Sequence, residues 1–503
     1  MNDKKLSIIE FNTKKSSYIF DGVTSEVIPS DDVINYIIKN FYNYSSENLF
    51  NSMTEKGLNT KREEFDTKYK HVKIMIESGM FYIDINNNLH NNINPKEIIN
   101  DPSQAQLILI LTEMCNLRCK YCIYSDEYPD EVTYTNDHMT LETAKKAIDL
   151  YFEIYEKRKL RGLNKRPSIT FYGGEPLLEF KLIKEIVCYA ENINKDIKFN
   201  FTTNGVLLND EMISFFLLHD IDIAFSLDGF KENHNRNRIT ITGKDTFDNI
   251  ISNISRLQEV KKQKNIEKNI TFICCYDTYT DINKCIEFFE DNFEKFKPFS
   301  VLFNAINSCD TTYFKKLDEE MKNKQGIITF SESMKKVKER FFDKKHENDR
   351  FREIAKSLFL RDYTIINRFK GGFSPFGGSC KPSGKMCVSP SGDIFPCEKV
   401  NKKFAFGNVK SGLDEKKIIE ITNVLIKNEL CGISKVCEYK SLCQLCYAFF
   451  NGDKSIKKEF CQMQKDTIPK GLSNLYSRLE EDPHIEELFD LSKVQYDVLS
   501  ENN

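Results

Sequence analysis

Sixteen cysteines are spread unevenly along these 503 residues, and their placement constrains the chain more than any other feature. None precedes Cys115. Three then fall within eight residues, at Cys115, Cys119 and Cys122, and eight more crowd between Cys380 and Cys461. Disulfide scaffolds are usually short secreted chains, whereas closely spaced cysteines in a long chain are more often metal ligands. Cys188, Cys274, Cys275, Cys285 and Cys309 lie singly or paired in apolar or helical stretches and read as core or incidental thiols.

A chain this long exceeds one ordinary core, so two or three domains are expected. Charge is nearly balanced, with 72 basic against 75 acidic residues, which argues against a nucleic-acid or membrane partner held by bulk electrostatics. The start, MNDKKLSIIEFNTKK, lacks the apolar core of a signal peptide, and no apolar run is long enough to span a bilayer. A cytoplasmic location is the expectation.

Residues 1–95 read as a small α+β unit. Leu6–Phe11, Ser17–Phe20 and Thr24–Ile28 are strand-like, with Asp21-Gly22 as a turn; Val33–Phe41 and Lys61–Glu77 are helical, and Phe81–Ile85 is a further strand. Within 96–310, six apolar strand candidates alternate with helices: Leu107–Leu111, Ser168–Phe171, Ile197–Thr202, Asp222–Ser226, Ile270–Cys274 and Phe299–Phe303. Serial βα units predict an α/β fold with a parallel sheet curved toward a barrel and functional residues at the strands' C-terminal ends. A charged helical bridge is expected over 311–371, a cysteine-rich region over 372–465 and a peripheral helical tail over 466–503.

The strand LILILT runs into the loop EMCNLRCKYC, whose Cx3Cx2C spacing offers three thiolates. A cubane [4Fe–4S] cluster takes four ligands, so three would leave one iron open for a substrate group. Zinc is the alternative, but a structural zinc site wants four closed ligands, usually as two close pairs. Further motifs follow at successive strand ends: Gly173-Gly174-Glu175-Pro176, then Thr203-Asn204-Gly205, then Ser226-Leu227-Asp228-Gly229 with His234-Asn235-Arg236-Asn237-Arg238. Together these resemble the radical S-adenosylmethionine superfamily over about 200 residues. The resemblance implies a partial (β/α)6 barrel in which Cys115, Cys119 and Cys122 hold a [4Fe–4S] cluster that cleaves S-adenosylmethionine. It further implies that Tyr121 packs on the adenine, that Gly173, Gly174 and Glu175 meet the amino group, and that Thr203 and Asn204 form a turn near the cofactor. Ser226 would face the ribose and Arg238 would pair with the carboxylate, with Arg236 as a nearby competitor. His234 reads as a structural hydrogen-bonder.

In the second cysteine field, Cys380-x11-Gly392-x4-Cys397 followed by Phe406-Gly407-Asn408-Val409 resembles the SPASM domain, which carries auxiliary clusters in peptide-modifying radical enzymes. Two later spacings depart from the family pattern. By family order, Cys380, Cys387, Cys397 and Cys446 would hold one cluster and Cys431, Cys437, Cys443 and Cys461 another, giving three [4Fe–4S] clusters in all. Structural zinc is compatible with the same spacing. Glu398 falls where some relatives carry an acidic catalytic base, and a carboxylate beside a cluster can have a raised pKa, but a solvated surface glutamate is the simpler reading.

The N-terminal unit resembles the winged-helix-like elements that bind the leaders of ribosomally made peptides by strand addition. The resemblance implies an oxidoreductase that matures a cysteine-rich precursor peptide, joining a cysteine sulfur to carbon with electrons from an external low-potential donor. A sulfatase-maturase-like formylglycine-forming dehydrogenase is the alternative, a carbon–carbon crosslinking maturase comes third, and a non-enzymatic metal-dependent adaptor is the reading from another class.

Overall fold

The computed structural model describes residues 4–84, 95–101, 106–128, 133–308, 311–343, 349–368, 384–400, 402–427, 437–439, 441–443, 445 and 458–482. These fall into two compact units, one within Met1–Ile93, Leu360–Cys380 and Thr422–Val494, the other within Asn94–Phe359, Lys381–Ile421 and Gln495–Asn503. No helix among the described residues is long and apolar enough to cross a membrane.

In the first unit, the expected strand Leu6–Phe11 is two strands in different sheets, β1 (Lys4–Leu6) and β2 (Ile8–Asn12). Ser7 makes the break: its N–H donates to Phe81 O at 2.8 Å and its carbonyl accepts from Gly22 N at 2.8 Å. A three-stranded antiparallel sheet joins β2 to β3 (Ser17–Asp21) and β3 to β4 (Val27–Ser30). The last strand starts later than its sequence suggests because Asp21 draws Thr24 into a turn, accepting from Val23 N at 3.0 Å and Thr24 Oγ1 at 2.6 Å. Three helices follow: α1 (Asp32–Asn40), capped by Asp31, α2 (Ser46–Glu55), capped by Ser45, and α3 (Arg62–Glu77). The middle helix was not legible, since its apolar content is little more than Leu49, Phe50 and Met53. β5 (Tyr82–Asp84) returns to pair with β1. The described part of the tail, to Asp482, is packed rather than peripheral: the helix Lys458–Glu481 lies on β2, with Leu442 and Leu472 in one cluster with Ile9, Phe11 and Phe20. Ser473 Oγ donates to Asn12 O at 2.5 Å.

The second unit is built on six parallel strands: β6 (Gln106–Thr112), β7 (Ser168–Gly173), β8 (Lys198–Thr203), β9 (Asp222–Ser226), β10 (Ile270–Tyr276) and β11 (Phe299–Ala305). They pair in sequence order, as successive βα units do. Six of the seven residues of β6 are buried, because a central parallel strand is covered on both faces. Helices Leu141–Lys159, Phe180–Ile193, Asp210–Leu218, Phe247–Gln263 and Ile282–Asp291 lie between the strands as expected. Among the described residues the sheet does not close on itself. Its β6 edge is extended by β12 (Lys385–Val388), parallel to β6, then antiparallel β13 (Asp393–Phe395), β14 (Gly407–Asn408) and β15 (Gly412–Leu413). Within 311–371 the described residues form three helices, Tyr313–Met321, Phe330–Phe342 and Arg350–Arg368.

Candidate active site

Every motif singled out in the barrel sequence sits at the C-terminal end of its strand. After β6 the chain turns through Cys115–Cys122 and is pinned from the far side, with Arg118 N donating to Ile239 O at 2.8 Å and Lys120 N to Asn237 O at 3.0 Å. Cys119 and Cys122 share one turn, Cys122 N to Cys119 O at 3.1 Å. Burial pushes the Cys115 thiol up to about 12, and the nearby Glu175 carboxylate and Cys122 thiol push the same way. The Cys119 thiol is raised too, by burial and by Cys122 and Cys115, against the opposing Arg238 charge. Among the described residues no three His, Cys, Asp or Glu groups are gathered tightly enough to share a single ion. The three thiols are nevertheless close enough to feel one another, and donors aim at their sulfurs: Leu117 N at 3.4 Å and Asn204 Nδ2 at 3.8 Å on Cys115, and the Arg238 guanidinium at 3.9 Å on Cys119. Buried thiols with N–H donors and a cation beside them fit thiolate ligation of an iron–sulfur cluster, whose positive iron offsets the cost of deprotonation.

The next two loops are knitted to this one. A Cβ on Gly173 (φ +133°) would lie 2.2 Å from Thr112 O, and one on Gly174 would lie 2.1 Å from Met114 O. Only glycine allows that approach. Gly174 N and Glu175 N then donate to Thr112 O and Met114 O, each at 2.9 Å. Glu175, 1% exposed, accepts from Leu177 N at 3.0 Å and Thr203 Oγ1 at 2.7 Å through Oε1, and from Asn204 N at 2.9 Å through Oε2. Burial raises its pKa although these donors oppose it. The expected ammonium acceptor is thus also a brace between loops, and Oε2 keeps a lone pair for one more donor. Asn204 continues the brace, its Nδ2 donating to Asn116 Oδ1 at 2.8 Å.

Ser226 ends β9, nearly buried, and Arg238 leaves the short helix that follows. Arg236 points elsewhere, bonded to Asp277 Oδ1 at 3.0 Å, so Arg238 is the guanidinium beside the cysteines. Arg238 Nε donates to Asp228 Oδ2 at 2.9 Å, and its guanidinium lies over the Tyr121 ring at 5.3 Å. His234 is a structural hydrogen-bonder: Asp228 N donates to its Nδ1 at 3.3 Å, leaving Nε2–H for Thr246 Oγ1 at 3.1 Å. Burial lowers its pKa to about 3. Cys275, read from sequence as incidental, lies at this site instead, its sulfur 4.0 Å from Arg238 and its N–H on Asp228. Only its position at the end of a barrel strand could have flagged it. A cavity of about 290 Å³ opens beside Cys119, lined among others by Arg118, Tyr134, Asn237 and Tyr313.

Of the second cysteine field, Cys380, Cys431 and Cys446 lie outside the described residues, as does Cys309. Cys387 is fully buried on β12 and Cys397 lies two residues past the end of β13, near enough across the hairpin to interact. Cys437 and Cys461 are near enough to interact, and Cys443 N donates to Tyr439 O at 2.8 Å. Glu398 is not a solvated surface residue: its side chain is 10% exposed, with Lys385 Nζ 4.0 Å from Oε2. Burial does press its pKa upward, but Lys385, Lys399 and the Cys397 S–H outweigh it and hold the carboxyl at about 2.

Residues 109–289 match the Radical SAM superfamily, so this chain carries a radical SAM domain of the kind that binds a [4Fe–4S] cluster and S-adenosylmethionine. More particularly, it is homologous to an anaerobic sulfatase-maturating enzyme. The cysteine-type enzyme of Clostridium perfringens is 27% identical over 354 residues, which cover 68% of this chain and 88% of the relative. The radical SAM cyclopropyl synthase TigE of Paramaledivibacter caminithermalis is 26% identical over 189 residues, 37% of this chain and 38% of that one. The solved structure of native anSMEcpe with bound AdoMet shares the fold, with a TM-score of 0.51 at 21% identity over 78% of this chain and 100% of that chain.

Proposed function

We propose that this chain is a radical S-adenosylmethionine maturase of a ribosomally made, cysteine-rich peptide, joining cysteine sulfur to carbon. The observation that carries the peptide reading is the N-terminal sheet, in which β4 pairs only with β3 among the described residues. Such an edge offers backbone donors and acceptors to an extended leader. Tethering there raises the effective concentration of the core peptide at the barrel.

With cluster and cofactor bound, the site supplies a 5′-deoxyadenosyl radical. Cys115, Cys119 and Cys122 hold the cluster. Arg238 takes the cofactor carboxylate, Glu175 its ammonium, Tyr121 its adenine and Ser226 its ribose, while Gly173, Gly174, Thr203 and Asn204 keep the loops close enough to exclude water. Cys380, Cys387, Cys397 and Cys446 hold one auxiliary cluster and Cys431, Cys437, Cys443 and Cys461 another, in support of which Cys387 neighbours Cys397 and Cys437 neighbours Cys461. Electrons come from an external low-potential donor.

The test is anaerobic co-expression with a cysteine-rich precursor, followed by thiol alkylation and mass spectrometry. Each thioether removes two hydrogens and one alkylatable cysteine. Mass losses that thiol reduction restores are disulfides and sink the claim. A second reading, formation of formylglycine from a single Cys or Ser, is favoured by the homology to the sulfatase-maturating enzyme, and a carbonyl product would establish it. Leader binding is best measured on the full chain, because deleting residues 1–95 would also bare Leu442 and Leu472.

A further inference from the structure

One buried carboxylate, which none of the roles above uses, gathers the elements around the cofactor position. Asp228 is 1% exposed. Its Oδ2 accepts from Tyr121 OH at 2.6 Å and from Arg238 Nε at 2.9 Å, and its Oδ1 accepts from Cys275 N at 2.9 Å. Its own backbone is fixed as well: the N–H donates to His234 and the carbonyl accepts from Asn233 Nδ2 at 2.7 Å. The cysteine loop, the turn after β9, the short helix Lys231–Asn237 and the end of β10 therefore meet at a single side chain.

We infer that Asp228 is a positioning residue that locks Tyr121 and Arg238 into one preorganised unit facing S-adenosylmethionine; this rests on the reading that those two side chains contact the cofactor. Three observations lead there. Asp228 holds the guanidinium through Nε, which leaves the NH1 and NH2 edge turned toward the sulfurs of Cys119 at 3.9 Å and Cys275 at 4.0 Å. That two-nitrogen edge is the one that grips a carboxylate in bidentate fashion. The Tyr121 ring lies beneath the same guanidinium, and its hydroxyl is bound by the same oxygen, so ring and cation cannot turn independently. Finally, a buried ion pair contributes little net stability compared with well-packed apolar residues. What this pair supplies is orientation, since a free arginine would have to lose its rotamer freedom when the ligand binds.

All three partners of the carboxylate are donors. Asn at this position presents an NH2 group to at least one of them, so Asp228→Asn releases the unit while keeping the shape. The experiment uses cluster-reconstituted full-length protein, with S-adenosylmethionine affinity read by equilibrium dialysis and the electron paramagnetic resonance spectrum of the reduced cluster recorded with and without it. Asp228→Asn should keep its iron, weaken binding about tenfold or more, and blunt the spectral change on adding S-adenosylmethionine. The Asp228→Asn/Arg238→Ala double variant should lose less affinity than the product of the two single losses, because part of what Asp228 does is done through Arg238. Wild-type affinity with an unaltered spectral response in Asp228→Asn overturns the inference, and so do losses that multiply in the double variant. Wild-type affinity in Arg238→Ala is a different failure: it removes the cofactor placement and this inference with it. Should Asp228→Asn not fold, Tyr121→Phe deletes one of the three bonds without stranding a donor. It must then weaken binding several-fold, and wild-type affinity there overturns the inference equally.

Discussion

Replacing Gly174 with Ala should damage this protein far more than a methyl group usually does. The backbone at Gly174 is not left-handed, so an alanine there carries no conformational penalty. The obstacle is steric. The new Cβ would sit 2.1 Å from Met114 O and 3.1 Å from Cys115 N, so the two loops must separate by about 1 Å. Overpacking of this kind costs about 1–3 kcal/mol. Separation also endangers the two 2.9 Å backbone bonds from Gly174 N and Glu175 N, each worth about 0.5–1.5 kcal/mol. The expected loss is therefore about 2–6 kcal/mol, concentrated at the first cluster ligand. Gly471 is the control: it lies inside the helix Lys458–Glu481 with nothing within 4 Å of its added Cβ, so Ala there should stabilise by about 0.5–1 kcal/mol. The chain has no Trp, so urea unfolding is best followed by far-ultraviolet circular dichroism, with hydrogen exchange localising the change to peptides spanning 107–122. Gly174→Ala should exchange faster there and bind one cluster fewer. A Gly174→Ala protein with wild-type unfolding, exchange and iron content would refute the steric argument.

Replacing Cys115, Cys119 and Cys122 together by Ala should remove four irons per chain and abolish 5′-deoxyadenosine formation; retention of either would break the cluster assignment. His234 has a folded-state pKa near 3 against an ordinary 6.5, so the unfolded chain binds the extra proton first and stability falls as pH drops through that window. Carbon-13 resonances of His234 should stay neutral at pH 5, and titration near 6.5 would contradict its burial. Lys261 is 3% exposed, and its Nζ has no hydrogen-bond partner among the described residues. Burial lowers its pKa to about 8, so its destabilising effect is full below pH 8 and is relieved toward 10.5. Lys261→Met should stabilise the protein at pH 7 by on the order of 1–3 kcal/mol, with the gain fading toward pH 10.5 in urea melts; a gain that ignores pH would point to packing alone.

The barrel and its loops were legible because strand periodicity and strand-end motifs are local signals. Gly173-Gly174-Glu175-Pro176 and Thr203-Asn204-Gly205 could be read without knowing what they touch. What could not be read is the second half of each bond. Nothing near Glu175 in sequence tells that Thr203 and Asn204 satisfy it, and nothing around Asp228 points to Tyr121, 107 residues away. Ser7 divides what looked like one strand because Phe81 and Gly22 claim its backbone. Glu398 read as a surface residue because nothing near it in sequence tells that Lys385, whose ammonium lies 4.0 Å away, meets it across the hairpin. The tail was misjudged because the partner of Leu472 lies near the opposite end of the chain.

The pairing of β12 with β6 also bears on how the molecule is assembled. Lys385–Val388 aligns with Gln106–Leu109, segments almost 280 residues apart, so the loop they close is among the longest the chain offers. Contacts of such sequence separation form late. During synthesis, β6 can already be paired with β7 while its other edge waits, exposing the apolar run Leu107-Ile108-Leu109 as an unpaired strand. Such an edge templates aggregation until something covers it. The hairpin that carries Cys387 and Cys397 therefore doubles as the cover. A chain released before Lys385, or one in which iron loading delays the docking of that hairpin, should accumulate as insoluble protein even though every residue of the barrel is present.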